Sequence, residues 1–270
     1  MKMTKISTVL AAAFLCLVFC FPVPAQETER ETQQAVGSGT IGIISAMNNE
    51  INLLLENTDI DHVDHIGGRD FHVGELCGRD VVITRAGIGK VRSAAGCTTL
   101  INYYQPSAVL FTGVAGGVGD ATKVLDVVVA SDLVQHDYGT ITNEGFSWAG
   151  EYGGEKGHFL CDPVLASRAY DAAVSVVGGE HVFLGTIATG DQFIASAEYV
   201  EILQEDFNAI ACEMEGASVA AVCSEFEVPF VVIRTMSDKA DGQAHEVYKN
   251  MADTAADNSC AIVMEMLPEL

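Results

Sequence analysis

Short apolar runs alternate with stretches of helical periodicity along most of this chain. Strand-like runs fall at Ile41–Met47, Asp80–Arg85, Ala108–Thr112, Asp126–Leu133, Val182–Ala188, Ala209–Cys212 and Pro229–Met236. Most are continuous rather than alternating, the pattern of strands covered on both faces. Helices are predicted at Asn49–Glu56, from Lys90 to about Tyr103, and at Pro163–Val177, Glu215–Phe226 and His245–Met266. Strands alternating with helices predict an α/β protein, a three-layer α/β/α sandwich around a central mixed, mostly parallel sheet. His62-Val63-Asp64-His65 falls in a polar stretch that reads as a surface loop. Phe146 and Trp148 lie in a glycine-rich segment expected to form a lid or a subunit contact.

The first 25 residues follow a different pattern. Lys2 and Lys5 precede an apolar core, Val9–Phe21, and Val23-Pro24-Ala25 then offers a cleavage point. This is the layout of a signal peptide, and it is short for a membrane span. Residues 26–38 are polar and without periodicity, a disordered linker, which leaves 39–270 as one domain. An exported protein, periplasmic or secreted, with no stable membrane span after cleavage is expected. The formal net charge is −23, with 14 Lys and Arg against 37 Asp and Glu. Nucleic acid is therefore excluded as a partner, because its binding rests on neutralising phosphates with Lys and Arg. Of the 8 cysteines, Cys16 and Cys20 fall in the presumed signal. The rest are widely spaced with no Cys-x-x-Cys pair, so neither a metal nor any other cofactor is expected. Cys212 and Cys223 lie in apolar runs and read as buried; disulfide pairing is left open.

Three carboxylates stand out against this background. Glu50, Glu215 and Asp238 each follow an apolar run that reads as a strand. Charges at the edge of a core need a partner or a task, and ligands of open α/β sheets bind at the carboxyl ends of strands. Gly87-Ile88-Gly89-Lys90 lacks the spacing of a Walker loop, and Gly113-Val114-Ala115-Gly116-Gly117 lacks that of a dinucleotide fingerprint. Both read as strand-end turns where backbone must approach something closely.

Six segments, in order, resemble the methylthioadenosine/S-adenosylhomocysteine nucleosidases of the purine nucleoside phosphorylase superfamily. They are Ile-Gly-Ile-Ile-Ser-Ala-Met-Asn-Asn-Glu (41–50), Gly-Ile-Gly-Lys-Val (87–91), Thr-Gly-Val-Ala-Gly-Gly (112–117), Thr-Gly-Asp-Gln-Phe-Ile (189–194), Glu-Met-Glu-Gly (213–216) and the run from Val228 to Asp241. The resemblance implies the nucleoside phosphorylase/hydrolase fold, hydrolysis of the N-glycosidic bond of an adenine thionucleoside, and a homodimer. It implies Glu50 as the general base for water and Asp238 as the acid that protonates purine N7. Glu215 would grip the ribose hydroxyls beside Met214, and Phe193 would stack on the base, whose edge meets the Ile194 backbone. Ile88 would wall the 5′ group, Ala115 and Gly116 would line the pocket, and Tyr248 would cover the ribose, with His245 nearby.

These residue types suit that chemistry. The leaving purine gathers negative charge, so the site needs a carboxyl kept protonated by desolvation. A second carboxylate must stay ionised to deprotonate water. Asn48 and Asn49 stand where acids are frequent in the family, and Val114 where Ser is frequent, so the preferred 5′ group stays open. Two rivals remain: a phosphate-dependent or broader-specificity enzyme, disfavoured because Ala46–Leu53 carries no cation, and a non-catalytic storage relative, disfavoured because all three carboxylates persist.

Overall fold

The computed structural model describes residues 39–149 and 157–270. The signal peptide and the linker expected over 1–38 lie outside the described residues. At the centre, β1 (Ile41–Ser45) pairs in parallel with β4 (Arg79–Arg85) on one side and β5 (Ala108–Gly117) on the other. Beyond β5 lies β12 (Phe230–Asp238), parallel to it, and then β6 (Val127–Gln135), antiparallel to β12. Parallel pairing resumes through β10 (Val182–Thr189) to β11 (Ala209–Glu213). A hairpin of β2 (Asp59–Ile66) and β3 (Arg69–Leu76) extends the other edge antiparallel to β4, and β9 (His158–Leu160) pairs with β6.

Successive strand residues point to opposite layers, as the pleat demands. Ile43 and Val231 join the cluster beneath α1 (Asn49–Glu56), α3 (Pro163–Val177) and α6 (Ala244–Met266). Their neighbours Ile44 and Val232 join the opposite cluster, with Cys97 and Leu100 of α2 (Lys90–Tyr104) and Val219 of α5 (Gly216–Glu225). The outcome is the three-layer sandwich with a mixed sheet.

Several local expectations need correction. Gly113–Gly117 is not a turn: β5 continues through it, buried along its whole length. Its glycines serve close approach instead. At its far end β5 pairs antiparallel with β11, Gly116 opposite Cys212 and Gly117 opposite Ala211, which closes the strands from β5 to β11 into a ring. A methyl on Gly116 would meet Asp238 Oδ1 and Ala240 Cβ at 3.0 Å, tighter than carbon normally tolerates. His62–His65 is not a loop but part of β2, whose residues are mostly exposed on both faces. The Gly67-Gly68 turn, with φ of 58° and 75°, is the glycine pair that two-residue hairpins favour. Trp148 is no lid. Its indole donates to the Gln135 carbonyl at 2.9 Å and packs edge-on against Phe207. Phe207 ends α4 (Ala197–Phe207), a helix missing from the sequence pattern above although Ser196 caps it. Phe146 lies half-exposed on β8 (Gly145–Trp148), paired with β7 (Gly139–Thr142). All six cysteines of the described residues are free thiols.

Candidate active site

The carboxyl ends of β1, β5, β11 and β12 converge on a cavity of about 350 Å³, a volume suited to a nucleoside-sized ligand. Glu50, Ile88, Ala115, Gly116, Phe193, Ile194, Met214, Glu215, Asp238 and Tyr248 all line it, together with Val114 and His245. His136, which follows β6, does not; it is buried against Tyr199 instead.

Each carboxylate is held differently. Glu50 sits in the first turn of α1, 1% exposed, and its side chain folds back on the end of β1. Oε2 accepts from the backbone N–H groups of Ala46 (2.9 Å) and Met47 (2.7 Å), and Oε1 from that of Val114 (2.9 Å). Burial raises its pKa, opposed by the Arg234 charge and these three donors. Gly113 makes the arrangement possible, since a Cβ there would fall on Glu50 and Arg234. Asp238 ends β12, with Oδ1 accepting from Ala240 N–H at 2.8 Å and Oδ2 from the Ser237 hydroxyl at 2.9 Å. Burial raises its pKa too, beyond what those bonds take back.

Glu215 precedes α5 but does not cap it. Its Oε1 instead accepts from Gly89 N–H at 2.8 Å. The capping falls to Glu213, whose Oε2 accepts from the N–H groups of Glu215 (3.0 Å) and Gly216 (2.7 Å). Gly89, at φ 94°, adopts backbone that other residues resist, so the glycine loop exists to present this donor.

Behind the carboxylates lies Arg234, fully buried within β12. It bonds Glu213, stands 3.6 Å from Glu215 and 3.9 Å from Glu50, and rests on the Phe111 ring at 4.2 Å. Burial works against its charge, yet the three carboxylates raise its pKa above the ordinary value. Its Nε and Nη1 have no hydrogen-bond partner among the described residues. Sequence reasoning missed Arg234 and Glu213. The signal was available: an arginine inside a continuous apolar strand cannot stay buried without carboxylates beside it.

Around the mouth, Phe193 stacks on His245 with ring centroids 4.5 Å apart and meets Tyr248 edge-on at 5.9 Å. The Tyr248 hydroxyl lies 3.3 Å from Met47 Sδ. Among the described residues no group of three or more His, Cys, Asp or Glu could hold a metal.

The sequence profile of the phosphorylase superfamily matches residues 40–268. A 5′-methylthioadenosine/S-adenosylhomocysteine nucleosidase of Shewanella sediminis is 38% identical over 231 residues, covering 85% of this chain and 99% of that protein. The chain belongs to the methylthioadenosine/S-adenosylhomocysteine nucleosidase family. Among solved structures, the Neisseria meningitidis nucleosidase in complex with methylthio-immucillin-A aligns with TM-score 0.79 and 35% identity. The match covers 86% of this chain and all (100%) of that one. A futalosine hydrolase of Helicobacter pylori aligns with TM-score 0.78 and 34% identity, covering 86% of this chain and 99% of that one.

Within this family member, the Glu215 carboxyl titrates far above its ordinary range. Burial first, and the Glu213 charge second, push its pKa from 4.5 up to about 8. A carboxyl with a raised pKa binds its proton more tightly in the folded chain than in the unfolded one. Its contribution to stability is therefore complete below pH 4.5 and is lost as pH rises towards about 8. The melting temperature of the unliganded protein is expected to fall across this window, and Glu215→Gln to flatten part of the fall. Comparing the two proteins cancels the general repulsion of an acidic chain. Parallel melting curves against pH would show that Glu215 does not carry this cost.

Proposed function

We propose that this protein hydrolyses the N-glycosidic bond of 5′-methylthioadenosine and S-adenosylhomocysteine, releasing adenine and the thioribose sugar. One observation carries the reading: Glu50 and Asp238 line a single cavity, each desolvated, each with a different set of donors. The Glu50 carboxylate is fixed by three backbone N–H groups, so it accepts a proton from water without reorganising. Arg234 Nη1, 3.9 Å from Glu50 Oε1, and these three donors favour the ionised form of Glu50 against the opposing effect of burial. Asp238, its pKa raised, carries the proton that purine N7 takes as the bond breaks. Glu215 offers acceptor oxygens to the ribose diol, with Met214 beside it. One face of Phe193 is covered by His245; the purine uses the other, with its edge against Ile194, and Ile88 and Tyr248 flank the sugar.

Water rather than phosphate is the nucleophile. Glu50 would repel phosphate, and the cation nearest it, Arg234, is already shared among three carboxylates. We further propose export, directed by residues 1–25, and pairing of two copies. Pairing is supported by the exposed apolar side chains Val91, Ile141 and Phe146.

The test is release of free base from methylthioadenosine, S-adenosylhomocysteine, adenosine, inosine and futalosine, with and without phosphate. Adenine release from the two thionucleosides without phosphate is expected. Glu50→Gln should lower turnover by at least ~100-fold, the loss of a general base. A strict phosphate requirement, or full activity in a folded Glu50→Gln protein, would overturn the reading.

A further inference from the structure

A second cavity, of about 390 Å³, opens behind the first. Asn48, Ile51 and Gly87 face this one, while their chain neighbours Met47, Glu50 and Ile88 face the nucleoside pocket. Its walls carry Arg69, Arg85, Arg92, His72, Asn48 and Asn52. That is three of only 14 Lys and Arg in a chain of net charge −23. Asp70 is the one acid in the lining, and its Oδ1 is engaged by His65 Nδ1 at 2.6 Å.

No carboxylate among the described residues forms an ion pair with Arg69, Arg85 or Arg92. Arg69 spends its fork on backbone, donating to the carbonyls of Ala86 (3.3 Å), Gly67 (3.2 Å) and Arg92 (3.1 Å), which pins the hairpin turn to the start of α2. The guanidinium groups of Arg85 and Arg92 have no ion-pair or hydrogen-bond partner among the described residues. His72 Nδ1 is buried without a hydrogen-bond partner among the described residues. His72 pairs across the sheet with Ile83, two residues before Arg85, so both side chains rise from one face of the sheet towards α1.

We propose that this cavity is a binding site for a phosphate-bearing small anion, separate from the nucleoside pocket. Three guanidinium groups against one carboxylate leave a surplus of two positive charges, which matches a phosphate dianion. Guanidinium forks suit its oxygens in paired hydrogen bonds, and the Asn48 and Asn52 amides and His72 supply further polar contacts. The bound anion is a ligand and not a nucleophile, because the two cavities share no lining residue.

The test is calorimetric titration of the whole protein, at low ionic strength in chloride buffer, with inorganic phosphate and separately with glycerol 3-phosphate. Saturable binding of at least one is expected. Preference for the first marks a free-ion site, and preference for the second a monoester site. Arg85→Gln and Arg92→Gln should each weaken binding by roughly tenfold, the value of one charge-assisted hydrogen bond, and the double variant should abolish it. Nucleoside cleavage by these variants should be unchanged. No binding of either anion by the wild-type protein, or undiminished binding by the folded single variants, would overturn the proposal.

Discussion

Asp238→Asn should lower the turnover of methylthioadenosine by at least ~100-fold, the contribution of a general acid. Asparagine keeps an oxygen to accept from Ala240 N–H, so the end of β12 should hold its shape. What it removes is the transferable proton. Burial keeps the Asp238 carboxyl protonated to higher pH than an ordinary aspartate, and in the proposed mechanism the departing purine takes that proton as the glycosidic bond breaks. The wild-type rate should therefore decline on the alkaline side as Asp238 ionises, and the variant should lose that limb of the profile. Adenine release against pH, with circular dichroism to establish folding, is the measurement. A folded variant with the wild-type rate would remove Asp238 from the chemistry.

The largest expected effect on stability belongs to Arg234→Met. Methionine fills similar volume and keeps contact with Phe111, but it leaves Glu50, Glu213 and Glu215 buried without their shared cation. Stranding a buried charge costs ~3–5 kcal/mol. Urea denaturation near neutral pH should register a loss of that order. The deficit should shrink on acidification, because protonated carboxyls no longer need the guanidinium. A loss that does not vary with pH would mean that packing, and not charge, sets the role of Arg234.

The parts of this protein legible in its sequence are those where burial is continuous. β1, β5, β6 and β12 are apolar without alternation because helices cover both faces, and the helices between them are bounded by clear changes of period. The hairpin of β2 and β3 was illegible because β2, at the sheet edge, exposes both faces and has no apolar stripe to betray it. The outer half of β5 was misread because its glycines look like turn chemistry, whereas they are thin strand that lets β11 and Asp238 close in. In the site, acids at the ends of apolar strands were visible as anomalies. Their common partner was not, because Arg234 lies 184 residues from Glu50 along the chain and no local pattern joins them.

The hydrogen bond from the Cys260 thiol to the Glu50 carbonyl, at 3.0 Å, spans 210 residues. A ribosome delivers Glu50 early and Cys260 almost last. Glu50 thus waits, through nearly the whole of synthesis, for the strand that carries Arg234 and Asp238 and for the helix that packs against that strand. A nascent chain holds the first strand of the pocket long before it holds a pocket. Contacts this distant in sequence form late and slowly, so competence to bind a nucleoside should arrive in a single closing step with the C-terminal helix and not build up by degrees.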